Sequence, residues 1–101
     1  MFENLPLHDV TLNSIQFAWK DAQVVLHLSG NNSAASTLTF DGVSELNVPR
    51  KLEWGPSVSI NTVRTRHPCV FEIEMQTGDV ISVSASSWSF TSVSSLCQPV
   101  L

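Results

Sequence analysis

Apolar and polar residues alternate with a period of two along most of the chain. The alternation is clearest at 70–75, where three apolar residues alternate with two carboxylates: Phe71, Glu72, Ile73, Glu74 and Met75. Successive side chains of a strand point to opposite faces, so this segment predicts a strand with one buried and one solvated face. The same pattern predicts strands at 15–19, 24–28, 37–40, 43–48, 58–63 and 80–85, with a less regular one after Ser86.

Short turn-forming sequences separate these segments. Lys20-Asp21-Ala22 and Thr77-Gly78-Asp79 predict reversals between neighbouring strands. Asp41-Gly42 predicts a two-residue hairpin, because type I′ turns favour Asp followed by Gly. Pro49 ends the strand before it, and Arg64 to Pro68 is expected to form a turn.

No window repeats apolar residues with the helical period, so we expect an all-β fold. Seven to eight short antiparallel strands in 101 residues predict a β-sandwich or a partly closed barrel. That length fits one hydrophobic core, which makes 1–101 a single domain. The Ser-rich segment near 91–101 is expected to be weakly ordered or docked at an edge.

Charge and composition exclude several function classes. The formal net charge is −4 and only five residues are Lys or Arg, so a nucleic-acid surface is not expected. No apolar run approaches a membrane span, and the first ten residues lack a secretory signal, so we predict a cytoplasmic protein. Cys69 and Cys97 are expected to be buried thiols, and with no metal-binding spacing in the chain we predict no metal or cofactor.

Residues 50–57 form the longest segment with neither the period-two alternation of a strand nor the period of a helix. They combine cations, a tryptophan and rigid turn residues. Loops on a rigid β-scaffold often carry binding residues, and Trp and Arg are favoured anchors of interfaces. The segment 50–66 holds four cations against the single carboxylate of Glu53, so it could form a patch for an acidic partner. An alternative interpretation is that Trp54 fills one end of the core. The candidate binding residues are Arg50, Lys51, Trp54, Ser57, Arg64 and Arg66.

Two further groups carry candidate chemistry. An imidazole beside a carboxylate, as in His8-Asp9, can act as base and orienting group if both point into one cleft, with Arg50 as a third member. Neighbours on a strand face opposite sides, which favours a structural role for the pair. Glu72 and Glu74 share one face and are expected to form an exposed acidic surface. The serines form no Gly-x-Ser-x-Gly motif, which favours a protein that is not an enzyme.

Four motifs occur in a characteristic order: Leu7-His8-Asp9, Val48-Pro49-Arg50, Trp54-Gly55-Pro56-Ser57 and Ile73-Glu74-Met75-Gln76-Thr77-Gly78-Asp79. Together they resemble a group of short bacterial proteins of unknown function over nearly their whole length. The resemblance implies a stand-alone bacterial cytoplasmic domain and brings no catalytic residues. Some small bacterial β-domains with a similar Leu-His-Asp start look like immunity proteins, which bind and block a toxin.

These observations favour a non-enzymatic binding or interaction domain, immunity-like in character, whose partner is a protein. Two alternatives stay open. One is a small-molecule-binding or hydrolytic domain with a cleft near His8, Asp9 and Arg50. The other is a structural homodimer formed through an exposed edge strand or the Ser-rich C-terminal segment.

Overall fold

The chain forms two antiparallel sheets of four strands each, as the computed structural model shows for residues 2–30, 35–51, 58–67 and 69–92. A short 3-10 helix, Phe2–Asn4, precedes the strands. The strands are β1 (Thr11–Ala18), β2 (Gln23–Ser29), β3 (Ala35–Asp41), β4 (Glu45–Asn47), β5 (Ile60–His67), β6 (Val70–Met75), β7 (Val80–Ser84) and β8 (Ser87–Ser92). The first sheet has the order β1-β2-β3-β8 and the second β4-β7-β6-β5, without closing into a barrel over these strands.

The period-two alternation of the sequence correctly predicts which side chains face the core. In β6, Phe71, Ile73 and Met75 are buried, as expected. In β2, Val24 and Leu26 are fully buried, and they alternate with partly exposed neighbours. The core therefore lies between the inner faces of the two sheets, and the antiparallel all-β fold is confirmed.

The predicted hairpin at Asp41-Gly42 is wrong. Asp41 is the last residue of β3, and the strands on either side of Gly42 lie in different sheets. Gly42 has a φ of +65° at the corner where the chain passes from the first sheet to the second. The Asp-Gly pair therefore marks a backbone conformation that glycine favours, and that conformation serves a corner here instead of a hairpin turn.

Two long, bent segments run antiparallel through this corner. β3 pairs with β8 from Ser36↔Ser92 to Asp41↔Ser87, and β4 pairs with β7 from Glu45↔Ser84 to Asn47↔Ser82. The register is displaced by one residue between the two stretches, so the corner contains one extra residue, as in a β-bulge. We call this pair of segments the bent ribbon, and it joins the two sheets covalently and by hydrogen bonds.

Other predicted boundaries shift. The expected turn at Arg64 to Pro68 is wrong, since β5 continues to His67 and pairs with β6 there. The predicted strand after Ser86 is confirmed as β8, whereas 93–101 lie outside the described residues. Cys69 is exposed instead of buried, and Cys97 lies outside the described residues. No helix in the described ranges is long and apolar enough to cross a membrane.

Replacing Gly42 with alanine tests the corner. A Cβ at this position would lie 2.8 Å from the Cβ of Ser86 and closer still to its Oγ, in addition to the penalty of a positive φ. We expect Gly42→Ala to lower the free energy of unfolding by about 2–4 kcal/mol, measured by urea denaturation. In a Ser86→Gly background the loss should be smaller, because only the backbone penalty remains. Equal losses in both backgrounds would show that Ser86 does not restrict the corner.

Candidate functional site

The two sheets are also joined at the starts of β1 and β5. The N–H of Leu12 donates to the carbonyl oxygen of Val58 at 3.0 Å, and the N–H of Ile60 donates to that of Val10 at 2.9 Å. The bent ribbon and this junction leave two openings between the sheets, one beside β8 and one beside β1. The two openings differ in how their apolar side chains are covered.

The opening beside β8 is filled from within the chain by the 3-10 helix. The Phe2 side chain is 2% exposed, and its ring centroid lies 5.0 Å from that of Phe71 and 5.4 Å from that of Trp88. Glu3 fixes the helix in place, since one of its carboxylate oxygens accepts the Thr65 N–H of β5 at 2.9 Å. A depression of about 430 Å³ remains outside Phe2, and it is lined by the three aromatic residues as well as by Glu3, Thr65, Ser86 and Ser87.

The opening beside β1 leaves apolar side chains exposed. Ile15 and Phe17 lie opposite Leu26 and Val24 of β2, so all four share the inner face of the first sheet. Leu26 and Val24 are fully buried, whereas Phe17 is 38% exposed and Trp19, just after β1, is 80% exposed.

The position of β1 in its sheet explains this exposure. β1 forms the edge of the first sheet, so its inner-facing side chains have a neighbouring strand on one side only, whereas Val24 and Leu26 of β2 lie between β1 and β3. The β1–β2 turn is fixed to the segment that leads into β4, because the N–H of Val43 donates to the carbonyl oxygen of Ala22 at 2.8 Å. The inner face of β1 therefore lies at the rim of the core.

The exposed side chains line two depressions along β1 that we together call the β1 groove. Ile15, Phe17 and Trp19 form one wall, and Leu46, Val48 and Arg50 form the other. The part around Phe17, Trp19 and Leu46 has a volume of about 430 Å³, and the part around Ile15, Val48 and Arg50 about 340 Å³. The rings of Phe17 and Trp19 contact each other, with centroids 5.4 Å apart.

The predicted basic cluster is divided by the fold. Arg64 donates from Nε to Glu72 at 2.7 Å and from Nη1 to Glu74 at 2.9 Å, and Arg66 reaches Glu72 at 3.5 Å. Hydrogen bonding to Arg64 lowers the pKa of Glu74, which keeps this carboxylate charged. Arg64 and Arg66 thus neutralise Glu72 and Glu74, and the expected exposed acidic surface is instead an ion-pair network in which the Glu72 side chain is only 12% exposed.

Of the three remaining cations of the chain, Arg50 lines the β1 groove. Lys51 and Lys20 follow the groove residues Arg50 and Trp19 in the sequence. Within the described ranges none of the three forms an ion pair. Because Glu45 lines the groove near Trp19, the end at Arg50 and Lys51 is the more positive one.

The His8-Asp9 pair holds the N-terminal segment against the second sheet. His8 Nδ1 bonds the carbonyl oxygen of Asn61 at 2.8 Å, and its Nε2 lies 3.5 Å from the Asp9 carboxylate. Asp9, with a φ of +68°, accepts a hydrogen bond from the Gln76 side chain. None of these bonds includes Arg50, and the described residues contain no group of three or more metal-ligating side chains.

The site residues predicted from sequence are therefore only partly brought together. Arg50 lies in the β1 groove with Lys51 next to it, Arg64 and Arg66 belong to the ion-pair network, and Trp54 and Ser57 lie outside the described residues. Sequence reasoning missed Phe17 and Trp19, which it assigned to a half-buried strand. The only signal for their exposure was the position of Trp19 directly before the turn.

Comparisons of this chain with protein-family models, with curated proteins and with solved structures find no match.

The contact between Glu3 and β5 predicts a pH dependence. Hydrogen bonds from the N–H groups of Glu3 itself and Thr65 lower the pKa of the Glu3 carboxyl below its ordinary value of 4.5. Its contribution to stability is complete above that ordinary value and is lost as the pH falls through the lowered one. We expect Glu3→Gln to be less stable than wild type at pH 7, with a difference that shrinks on acidification, measured by denaturation at each pH. A difference that is constant from pH 7 to pH 3 would contradict this role.

Proposed function

We propose that this chain is a protein-binding domain whose partner places an extended segment in the β1 groove. The observation that carries the proposal is the exposure of Phe17, which lies opposite the fully buried Val24, together with the exposure of Trp19 just after β1. Contiguous exposed apolar surface of this kind marks interaction sites in soluble proteins. The opening beside β8 differs from the one beside β1, because Phe2 of the same chain covers the core there.

The composition of the groove favours a polypeptide over a small metabolite. Trp and Arg are the most frequent energetic anchors of protein interfaces, and Trp19 and Arg50 lie toward opposite ends of the groove. From Ile15 to Trp19 the strand rise gives a length of about 13 Å, which matches four or five extended residues.

The charges favour a partner segment with an acidic residue. Arg50 lines one end of the groove, and neither Arg50 nor the following Lys51 has a carboxylate partner among the described residues. A carboxylate placed there would form a charge-assisted hydrogen bond with Arg50. We therefore assign the occupant as an extended segment that combines apolar side chains with Asp or Glu near Arg50.

This class of function agrees with the resemblance to immunity proteins, which act by binding another protein. The hydrolytic alternative needed His8, Asp9 and Arg50 in one cleft. His8 and Asp9 instead bond to Asn61 and Gln76, whereas Arg50 lines the β1 groove. The geometry therefore supports binding more than catalysis.

Selection from a displayed library of random eight-residue peptides tests the proposal. We expect wild-type protein to enrich peptides that combine alternating apolar residues with Asp or Glu. Their affinity, measured by calorimetry, should fall at least about tenfold in the double variant Phe17→Ser/Trp19→Ser and clearly in Arg50→Ala. Val25→Ser, which changes the outer face of the same sheet, is the matched control and should bind as wild type does.

Three outcomes would contradict the proposal. One is the absence of enriched peptides, and another is binding that the groove variants leave unchanged. The third is a dimer, seen by sizing chromatography at several concentrations, that the Phe17→Ser/Trp19→Ser variant abolishes. That last result would assign the groove to a second copy of this chain, as the homodimer alternative expects.

A further inference from the structure

We infer that the occupant of the β1 groove binds as an added β-strand, hydrogen-bonded to the backbone of Ile15 and Phe17. This inference rests on the proposed function and specifies its binding mode. It follows from the direction of the backbone groups along β1, from the side-chain positions of the same residues, and from the absence of cover over this edge among the described residues.

The direction of the backbone groups is set by the contact with Val58. The N–H of Leu12 donates to the carbonyl oxygen of Val58, so the backbone groups of Leu12 point away from β2. Leu12, Ile15 and Phe17 lie opposite Leu28, Leu26 and Val24, which are every second residue of β2. The register shift between Leu12 and Ser14 adds one residue to β1, so Ile15 and Phe17 take the same orientation as Leu12. The N–H and C=O groups of Ile15 and Phe17 therefore also point away from β2.

These four backbone groups have no partner among the described residues. β1 pairs with β2 along one side, and the only described residues that pair with its other side are those around Ser59, near the start of β1. Unpaired N–H and C=O groups at a sheet edge are a template for another strand. The edge available to a partner begins after Leu12, where Val58 ends the contact, and stops at the turn that follows Ala18.

Edges of natural sheets are usually protected by charges, prolines or covering segments. The edge of β5 has such cover, because the Glu3 carboxylate accepts the Thr65 N–H. In contrast, the β1 segment Ser14-Ile15-Gln16-Phe17-Ala18 contains neither a charged residue nor a proline. The β1 edge therefore lacks the protection that Glu3 gives to β5.

The side chains and the backbone groups of β1 are both placed to contact one added strand. Ile15 and Phe17 direct their side chains into the groove and their backbone groups toward the open side. A strand added about 4.8 Å from β1 would place every second side chain over the groove, toward Leu46 and Val48. This arrangement explains why the partner segment should alternate apolar and polar residues.

Amide hydrogen exchange measured by NMR tests the binding mode. The first measurement is made on the protein without a peptide. Amides of Ile15 and Phe17 should exchange rapidly, whereas those of Gln16 and Ala18, which point toward β2, should be protected. Saturation with a peptide from the library should slow exchange at Ile15 and Phe17 at least about tenfold and leave Gln16 and Ala18 as internal controls nearly unchanged. Protection of Ile15 and Phe17 in the free protein would overturn the inference, because the edge would already be occupied.

Peptides methylated at single backbone nitrogens give a second readout. Methylation at the alternate positions that face β1 should weaken binding at least about tenfold, and methylation at the intervening positions should leave the affinity close to that of the parent peptide. Saturable binding without protection at Ile15 and Phe17, or with equal effects of all methyl groups, would overturn the added strand and leave the binding function intact. A lack of any saturable peptide binding would instead overturn the proposed function itself.

Discussion

Apolar side chains on the inner face of a sheet need cover from the opposite sheet and from neighbouring strands, and an edge strand has such a neighbour on one side only. In this protein the bent ribbon through Gly42 joins the two sheets and fixes how they face each other. β1 forms one edge of the first sheet, whereas β2 lies between β1 and β3. Full burial of Val24 beside the exposed Phe17 follows this difference between the two strands.

The two openings between the sheets differ in how their apolar side chains are covered, and this difference is the basis of the functional account. At β8 the N-terminal residues supply Phe2 as cover and the Glu3 carboxylate as a partner for the edge of β5. At β1 the described residues supply neither. The charges are divided in the same way, because Glu72 and Glu74 neutralise Arg64 and Arg66 on the outer face, while Arg50, which has no ion pair among the described residues, lines the β1 groove. Apolar surface, accessible backbone and positive charge therefore coincide at one place.

The sequence predicts those features that depend on local alternation, and misses those that depend on register. The strands and the buried face of β6 follow from period two alone. Asp41-Gly42 signals a positive φ, but it does not specify which strands flank it, so the corner was predicted as a hairpin. Alternation likewise assigns Phe17 to the inner face without showing that β1 is an edge strand. Pairing of Arg64 with Glu72 requires the β5–β6 register, which no local pattern contains.

The central claim is that Phe2 is part of the core whereas Trp19 is kept exposed for a partner. The most direct measurement compares the free energies of unfolding of Phe2→Ala and Trp19→Ala with that of wild type under identical conditions. The account predicts a loss of about 3–5 kcal/mol for Phe2→Ala and a change within about 0.5 kcal/mol for Trp19→Ala. A comparable loss for both variants would make Trp19 a structural residue and contradict the account, as would a negligible loss for Phe2→Ala.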